Sequence, residues 1–196
     1  MATVTTTQAE APADFRQRLL DGLAVSIGAR GYQDTTVADI VRGAKTSRRT
    51  FYEHFASKET CFVALITEAN DEMIRTISAA VDSTAPWPTQ VRQAVETWLA
   101  CADAQRAVTR SWIRDIPSLG LVGWDLQRDL MERFVRMVRV LTERAVGIDP
   151  ADRELTIVLL GGLRELIAST VEDGRQVTDI TEPAVRAAIA LLGPTA

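Results

Sequence analysis

Basic side chains are concentrated in one short segment of this 196-residue chain. From Arg42 to Lys58 there are five basic residues and one acid, Glu53, a local charge of +4 in a chain whose net charge is −4. The chain's two lysines, Lys45 and Lys58, and its one histidine, His54, all lie in this segment. Such a density of positive charge suits nucleic-acid phosphates, although an ordinary solvated basic face would carry the same charge.

Other kinds of chemistry lack the residues that they need. Cys61 and Cys101 lie forty positions apart without a CxxC spacing, so the sequence predicts no zinc site, no disulfide framework and no cofactor. A single histidine inside the basic segment excludes a Ser/His/Asp triad or a histidine-based metal site elsewhere, and there is no glycine-rich phosphate loop. We therefore expect a protein that is not an enzyme, with a carboxylate-only catalyst as the alternative that composition leaves open.

The composition also indicates how the chain is organised. A length of 196 residues with 46% hydrophobic content is enough for two small domains. The first residues have neither a basic nor an apolar leader region, and the most apolar run, residues 155–163, is far shorter than the ~20 residues that cross a bilayer. We expect a cytoplasmic protein.

The apolar residues recur at helical spacing throughout, which predicts an all-α fold. A first helix ends at Gly31, and Thr36 to Asp39 match a capping box that starts a short second helix. Phe51 and Phe55 require a new helix from near Ser47. Two short helices therefore meet across a tight turn at residues 45–46, which is the pattern of a helix-turn-helix.

The second half is also predicted to be helical. A long helix after Ser57 ends before Pro86-Trp87-Pro88, which we interpret as a connector between domains. A segment around Trp112 is broken at Pro117 and Gly120 and is followed by a loop. Further helices are expected at 125–146, from 149–150 to Gly174, and from about Glu182 to the end.

Two of these helices have apolar residues on more than one side. Residues 155–163 are apolar all round, and the last helix has small or apolar residues on both faces. A helix without a polar face must be covered twice, which favours a homodimer over a large monomeric core. The predicted interface residues are Leu159, Gly161, Gly162, Val185 and Ile189.

The segment GYQDTTVADIVRGAKTSRRTFYEHFASKE at residues 31–59 closely resembles the N-terminal motif of the tetracycline-repressor (TetR) family. The resemblance covers about 20 motif positions and implies a three-helix DNA-binding domain followed by a six-helix ligand-binding and dimerisation domain, about nine helices in all. The expected domains are residues 12–72, with the helix-turn-helix at 36–55, and residues 73–196. Departing from the family pattern, Lys45 stands where glycine is usual and Thr46 where an apolar residue is usual.

A helix-turn-helix presents the start of its second helix to base edges in the major groove. Arg48 and Arg49 are the predicted base readers, because a guanidinium can bond guanine O6 and N7 together, although either arginine can contact phosphate instead. Tyr52 as a core ring and His54 as a capping side chain are the structural alternatives to phosphate contact. The full predicted DNA-binding set is Thr36, Lys45, Ser47, Arg48, Arg49, Thr50, Tyr52, His54 and Lys58.

The second domain offers weaker evidence for a ligand. All four tryptophans lie after residue 86, and aromatic side chains describe either a small-molecule pocket or an ordinary core. The predicted pocket residues are Trp98, Arg110, Trp112, Arg114, Phe134 and Met137. Together with the resemblance, this predicts a repressor released from double-stranded operator DNA by a small, mostly apolar effector that moves the helix at 58–80. The alternative is a constitutive or architectural DNA-binding protein.

Overall fold

The computed structural model describes residues 12–193. Within that range the chain forms nine α-helices and two short 3₁₀ turns, at Ile116–Leu119 and Val177–Ile180, and contains no strand. The predicted all-α class with about nine helices is confirmed. The helices are α1 Pro12–Arg30, α2 Val37–Gly43, α3 Arg48–His54, α4 Lys58–Ala80, α5 Trp87–Ala104, α6 Arg106–Arg114, α7 Leu121–Arg144, α8 Arg153–Glu172 and α9 Thr181–Leu192.

The chain divides into two compact units, here called unit 1 and unit 2, with the division after Leu65. It lies seven residues before the boundary expected from the sequence and falls inside α4, so that this helix begins in unit 1 and continues into unit 2. Pro86-Trp87-Pro88 is consequently not a connector between domains. Trp87 opens α5 inside unit 2, with Pro88 in the first turn, where its missing N–H costs nothing.

Unit 1 consists of α1, α2, α3 and the start of α4 around a small apolar core. Leu19, Leu23, Ile27 and Phe51 are completely buried there. Gly22 allows α1 and α2 to approach closely, because a Cβ at this position would lie 2.6 Å from the carbonyl oxygen of Ile40. The core therefore fixes where the second and third helices stand on the first.

In unit 2 the structure differs from the sequence prediction at two helix starts. Helix α7 begins at Leu121 instead of 125, because the predicted loop is replaced by a 3₁₀ turn and Gly120, which takes a φ of +60° before the helix. Helix α8 begins at Arg153 instead of 149–150, where the Asp152 side chain accepts a hydrogen bond of 2.9 Å from the Leu155 N–H.

The core of unit 2 lies between α5, α7, α8 and α9. Trp98 and Phe134 pack at its centre with ring centroids 5.4 Å apart. Within residues 12–193, no helix combines the length and the apolar character that crossing a lipid bilayer requires.

Candidate nucleic-acid interface and small-molecule cavity

Helix α2 is fixed at its start by the capping box that the sequence predicts. The Thr36 side chain accepts from the Asp39 N–H, while Asp39 Oδ2 accepts from the Thr36 N–H at 3.0 Å and from its hydroxyl at 2.6 Å. These hydrogen bonds from Thr36, joined by the charges of Arg30 and Arg42, lower the pKa of Asp39 below its ordinary value. The cap engages the Thr36 hydroxyl within the protein.

The turn between α2 and α3 is a Schellman motif with lysine at its left-handed position. Lys45 has a φ of +50°, and the N–H groups of Lys45 and Thr46 bond the carbonyls of Arg42 and Val41. Glycine is favoured here because a Cβ is strained at positive φ. Arg18 secures the turn, since its guanidinium donates to the carbonyls of Ala44, at 2.7 Å, and Lys45, at 3.0 Å.

Helix α3 presents its first residues to solvent and its aromatic residues to the core. Ser47 caps the helix by accepting from the Thr50 N–H at 3.1 Å. Phe51 is fully buried and Phe55 is 6% exposed, which confirms their assignment to the core. Tyr52 is 59% exposed, so it is not a core ring, and it lies one helical turn after Arg48 on the same face.

The two candidate base readers differ in their neighbours. Arg48 is exposed and has no carboxylate within ion-pair distance among the residues that the structure describes. The Arg49 side chain is 90% exposed, and its Nε lies 3.1 Å from Glu53 Oε1, so it must leave that weak surface pair to reach a base. Both guanidinium groups are therefore exposed at the start of α3.

His54 and Lys58 lie at the end of this segment. Lys58 makes contacts within unit 1 that the sequence did not predict. His54 is the last residue of α3 and is half-buried. Lys58 Nζ donates to the carbonyls of Tyr32, at 2.9 Å, and Gln33, at 3.2 Å, and lies 4.3 Å from the centroid of the Tyr32 ring. Its ammonium therefore holds the loop after α1 in the protein as it stands.

Unit 2 contains a cavity of about 170 Å³ and an adjoining one of about 130 Å³, here called cavity A and cavity B. Both are lined by Trp98, Trp112 and Phe134, which the structure brings together as the sequence suggested. Glu72 and Cys101 also line cavity A. Burial, with Glu72 nearby, raises the pKa of the Cys101 thiol.

The three other predicted pocket residues lie elsewhere. Arg110 and Arg114 are exposed and line neither cavity; Arg114 pairs with Glu172 at 2.5 Å. Met137 lines a smaller apolar cavity of about 70 Å³, here called cavity C, and not A or B.

The sequence analysis missed several polar cavity residues, among them Asn70 and Arg164. Asn70 lines both A and B, and Arg164 lines B. Each is a polar residue in an otherwise apolar stretch of its helix. Asn70 interrupts the apolar face of α4 between Ile66 and Met73, and Arg164 interrupts the apolar run of α8.

The predicted dimer residues fall into two groups. Leu159 and Val185 are 5% and 3% exposed and belong to the core of their own subunit, so that a partner cannot reach them. Gly161 and Gly162 are exposed, and Ile189 is half-buried. The apolar side chains that α8 does expose are Leu155 and Val158, at 42% and 61%.

Comparison with known proteins bears on the helix-turn-helix most directly. Residues 19–65 match the family model of bacterial regulatory proteins of the tetR family, which confirms the resemblance seen in the sequence. An uncharacterised helix-turn-helix transcriptional regulator, YdgC of Bacillus subtilis, is 40% identical over 55 residues, 28% of each chain. The helix-turn-helix transcriptional repressor AcnR of Corynebacterium efficiens is 33% identical over 67 residues, 34% of this chain and 36% of the relative. The matched segments thus span about a third of these two relatives.

The likeness to solved structures extends over the whole fold. The transcriptional regulator FadR of Bacillus subtilis, solved with stearoyl-CoA, superposes with a TM-score of 0.75 over 92% of this chain and 99% of its own. The two sequences are 12% identical, so that this likeness establishes the fold and no shared ligand.

Proposed function

We propose, from the match of residues 19–65 to the TetR family model, that the chain is a TetR-type regulator, a ligand-responsive repressor that binds operator DNA as a homodimer. The observation that carries the proposal is the exposed start of α3. Arg48 and Arg49 stand free of the core on a helix that Phe51 and Phe55 anchor behind them. Helices presented in this way read base edges in the major groove.

The other predicted contacts surround that helix. Lys45, Ser47 and Tyr52 are exposed beside Arg48 and Arg49 and are assigned to phosphate. Thr36 offers the N-terminus of α2, and Thr50 and His54 lie on α3. Lys58 is also assigned to phosphate, and in the protein as it stands its Nζ donates to the carbonyls of Tyr32 and Gln33.

Homodimerisation is supported by two glycines that the subunit itself does not require. Gly161 and Gly162 lie in the middle of α8, and a Cβ on either would meet no atom within 4 Å. Each glycine costs ~1 kcal/mol of helix stability relative to alanine, which a closely approaching partner helix would account for. Leu155 and Val158 lie on the same exposed face and supply apolar surface. We assign the interface to this face and to the outer side of α9.

Effector control is supported by the continuity of α4. The helix begins at Lys58, directly after the helix-turn-helix, and its residues from Ile66 to Thr76 line cavity A. A small, mostly apolar molecule that favours another position of α4 would change the separation of the two recognition helices, which must be ~34–36 Å for successive major grooves. The effector lowers operator affinity by as much as it prefers the protein conformation that does not bind DNA to the one that does.

The proposal is tested by selecting bound sequences from a random double-stranded DNA pool with the full-length protein in excess competitor DNA. We expect enrichment of one inverted repeat whose half-sites lie about one helical turn apart. Binding of the pool without enrichment would identify a constitutive or architectural DNA-binding protein instead, and failure to retain DNA would contradict the proposal altogether.

A further inference from the structure

Cavity B brings hydrogen-bond donors from three helices together. Asn70 from α4, Gln127 from α7 and Arg164 from α8 all line it, beside the aromatic rings of Trp98, Trp112 and Phe134. No aspartate or glutamate is among the lining residues of cavity B. The polar side of this cavity is therefore rich in donors and carries positive charge.

Asn70 is the buried member of this group. It is 8% exposed, and its Nδ2 is fully buried with no hydrogen-bond partner among the described residues. Buried polar groups in native proteins are nearly always bonded, and leaving one unbonded is costly. An acceptor atom of a bound molecule would satisfy this amide.

Arg164 supplies the charge. Its guanidinium carbon lies 5.3 Å from the centroid of the Trp112 ring, a cation–π contact that orients the group. No carboxylate within 4.0 Å pairs with it in the described part of the chain, whereas many other arginines on α4 to α8, such as Arg133 with Asp71, do have one. A guanidinium held against a ring keeps its outer N–H edge available for a planar anion.

The adjoining cavity A sets the shape and polarity of the rest of the ligand. It shares five lining residues with cavity B and is lined mostly by apolar side chains. Its volume of about 170 Å³ compares with the ~150 Å³ of an engineered cavity that holds benzene. The charged residue among its lining residues is Glu72, an acid that pairs with Arg75, so cavity A offers no cation to an anionic group, whereas cavity B offers Arg164.

We propose that the effector is a compact aromatic or alicyclic carboxylate whose ring fills cavity A and whose carboxylate lies in cavity B, where it pairs with Arg164 and accepts from Asn70. This rests on the proposed function, in which unit 2 receives the effector. It adds the ligand's chemical class and names Asn70, which lies on α4, as the residue that ties the anion to the helix leading to the DNA-binding unit.

Three probes of nearly equal shape test the proposal by calorimetric titration of the full chain without DNA: benzoate, acetophenone and α-methylstyrene. They present a carboxylate, a ketone and an alkene on the same ring. We expect benzoate to bind about tenfold more tightly than acetophenone, and acetophenone roughly three- to tenfold more tightly than α-methylstyrene. Arg164→Met should abolish the first step of this ranking, and Asn70→Leu the second.

Arg110→Met is the matched control, because it removes the same charge from an exposed position that lines neither cavity A nor cavity B. It should preserve the whole ranking, and Arg164→Lys should restore part of the benzoate preference. A wild-type protein that binds benzoate no better than acetophenone overturns the proposal without any variant, as does a benzoate preference that survives Arg164→Met. Because these titrations contain no DNA, either result leaves the proposed DNA-binding function standing.

Discussion

Arg48 and Arg49 open α3 and are both exposed. Arg48 has no carboxylate within ion-pair distance among the described residues, whereas Arg49 makes only a weak surface pair with Glu53. We predict that Arg48→Ala or Arg49→Ala removes ~1–3 kcal/mol of discrimination at particular operator positions while random DNA is affected less. Competition binding on single-base operator variants measures this.

Arg75→Ala is the control for these two variants, since it removes another exposed arginine, from the part of α4 that lies in unit 2. It should leave the base preferences unchanged. Equal losses on cognate and random DNA for both α3 variants would reject their assignment as base readers.

Lys45 destabilises the fold, because it occupies the position of the turn that requires a left-handed backbone conformation. The penalty for a Cβ at its φ of +50° is ~1–2 kcal/mol, and the flexibility of glycine costs ~0.5–1 kcal/mol. Lys45→Gly should therefore raise the free energy of unfolding by about 0.5–1 kcal/mol in urea denaturation. Ala29→Gly, in the last turn of α1, should instead lower it.

The same substitution separates stability from function. If Lys45 contacts a phosphate, Lys45→Gly binds DNA more weakly although it is more stable, and the slope of log affinity against log salt becomes shallower by ~0.9 for each subunit, ~1.8 for the dimer. An unchanged salt slope would remove Lys45 from the interface.

Asp39 makes unit 1 sensitive to acid in a defined direction. Its pKa is lowered in the folded protein, first by the Thr36 hydroxyl, so its contribution to stability is complete above its ordinary pKa of 3.8 and is lost as the pH falls towards the folded value. In Asp39→Asn we expect lower stability at neutral pH and a weaker decline below about pH 4. Acid titration followed by circular dichroism tests this, with Asp34→Asn as the control for losing one exposed charge. A decline identical to that of the wild type would contradict it.

At the scale of elements, helices with local signals were predicted well and those shaped by tertiary contacts were not. The start of α2 can be predicted from the four residues Thr36 to Asp39, because both hydrogen bonds of a capping box form between residues of that segment. The start of α7 does not, because Gly120 gives no sign in the sequence that its positive φ joins a 3₁₀ turn directly to a helix.

The functional sites divide in the same way. The helix-turn-helix lies within one continuous segment, so its apolar spacing and its resemblance to the TetR motif were both visible in the sequence. The cavity residues come from α4, α5, α6, α7 and α8, so which side chains line a cavity depends on how these helices pack and not on any one segment. Leu159 was assigned to the dimer interface because a helix that is apolar all round does not reveal which side its own core takes.

A substitution in α8 should have opposite effects on the stability of the subunit and on the stability of the dimer. Gly162→Ala adds a methyl group where the subunit has open space, so the helix should gain ~1 kcal/mol within a monomer. If a partner helix approaches there, the same methyl group weakens the dimer. Sedimentation equilibrium should show a shift towards the 21.5 kDa monomer, which Leu155→Glu on the same face should reproduce. A dimer unaffected by both variants would place the interface elsewhere.

At the scale of the whole molecule, unit 1 carries the exposed start of α3 and unit 2 carries the donor-lined cavity B, and α4 begins in unit 1 and ends in unit 2. The resemblance to the TetR family rests on residues 19–65, while the proposal that this chain binds an operator rests on the side chains that α3 exposes. Sequence-specific DNA-binding proteins typically bind their own site 10³–10⁷-fold more tightly than random DNA, because base contacts add to the sequence-independent attraction of the phosphates.

The most direct test of this account is the ratio of two dissociation constants, for the inverted repeat enriched by selection and for a scrambled duplex of equal length, measured by fluorescence anisotropy at one physiological salt concentration. We predict a ratio of at least ~10³, with two chains bound per repeat. Equal affinity for the two duplexes would contradict the central claim that this protein is a sequence-specific regulator.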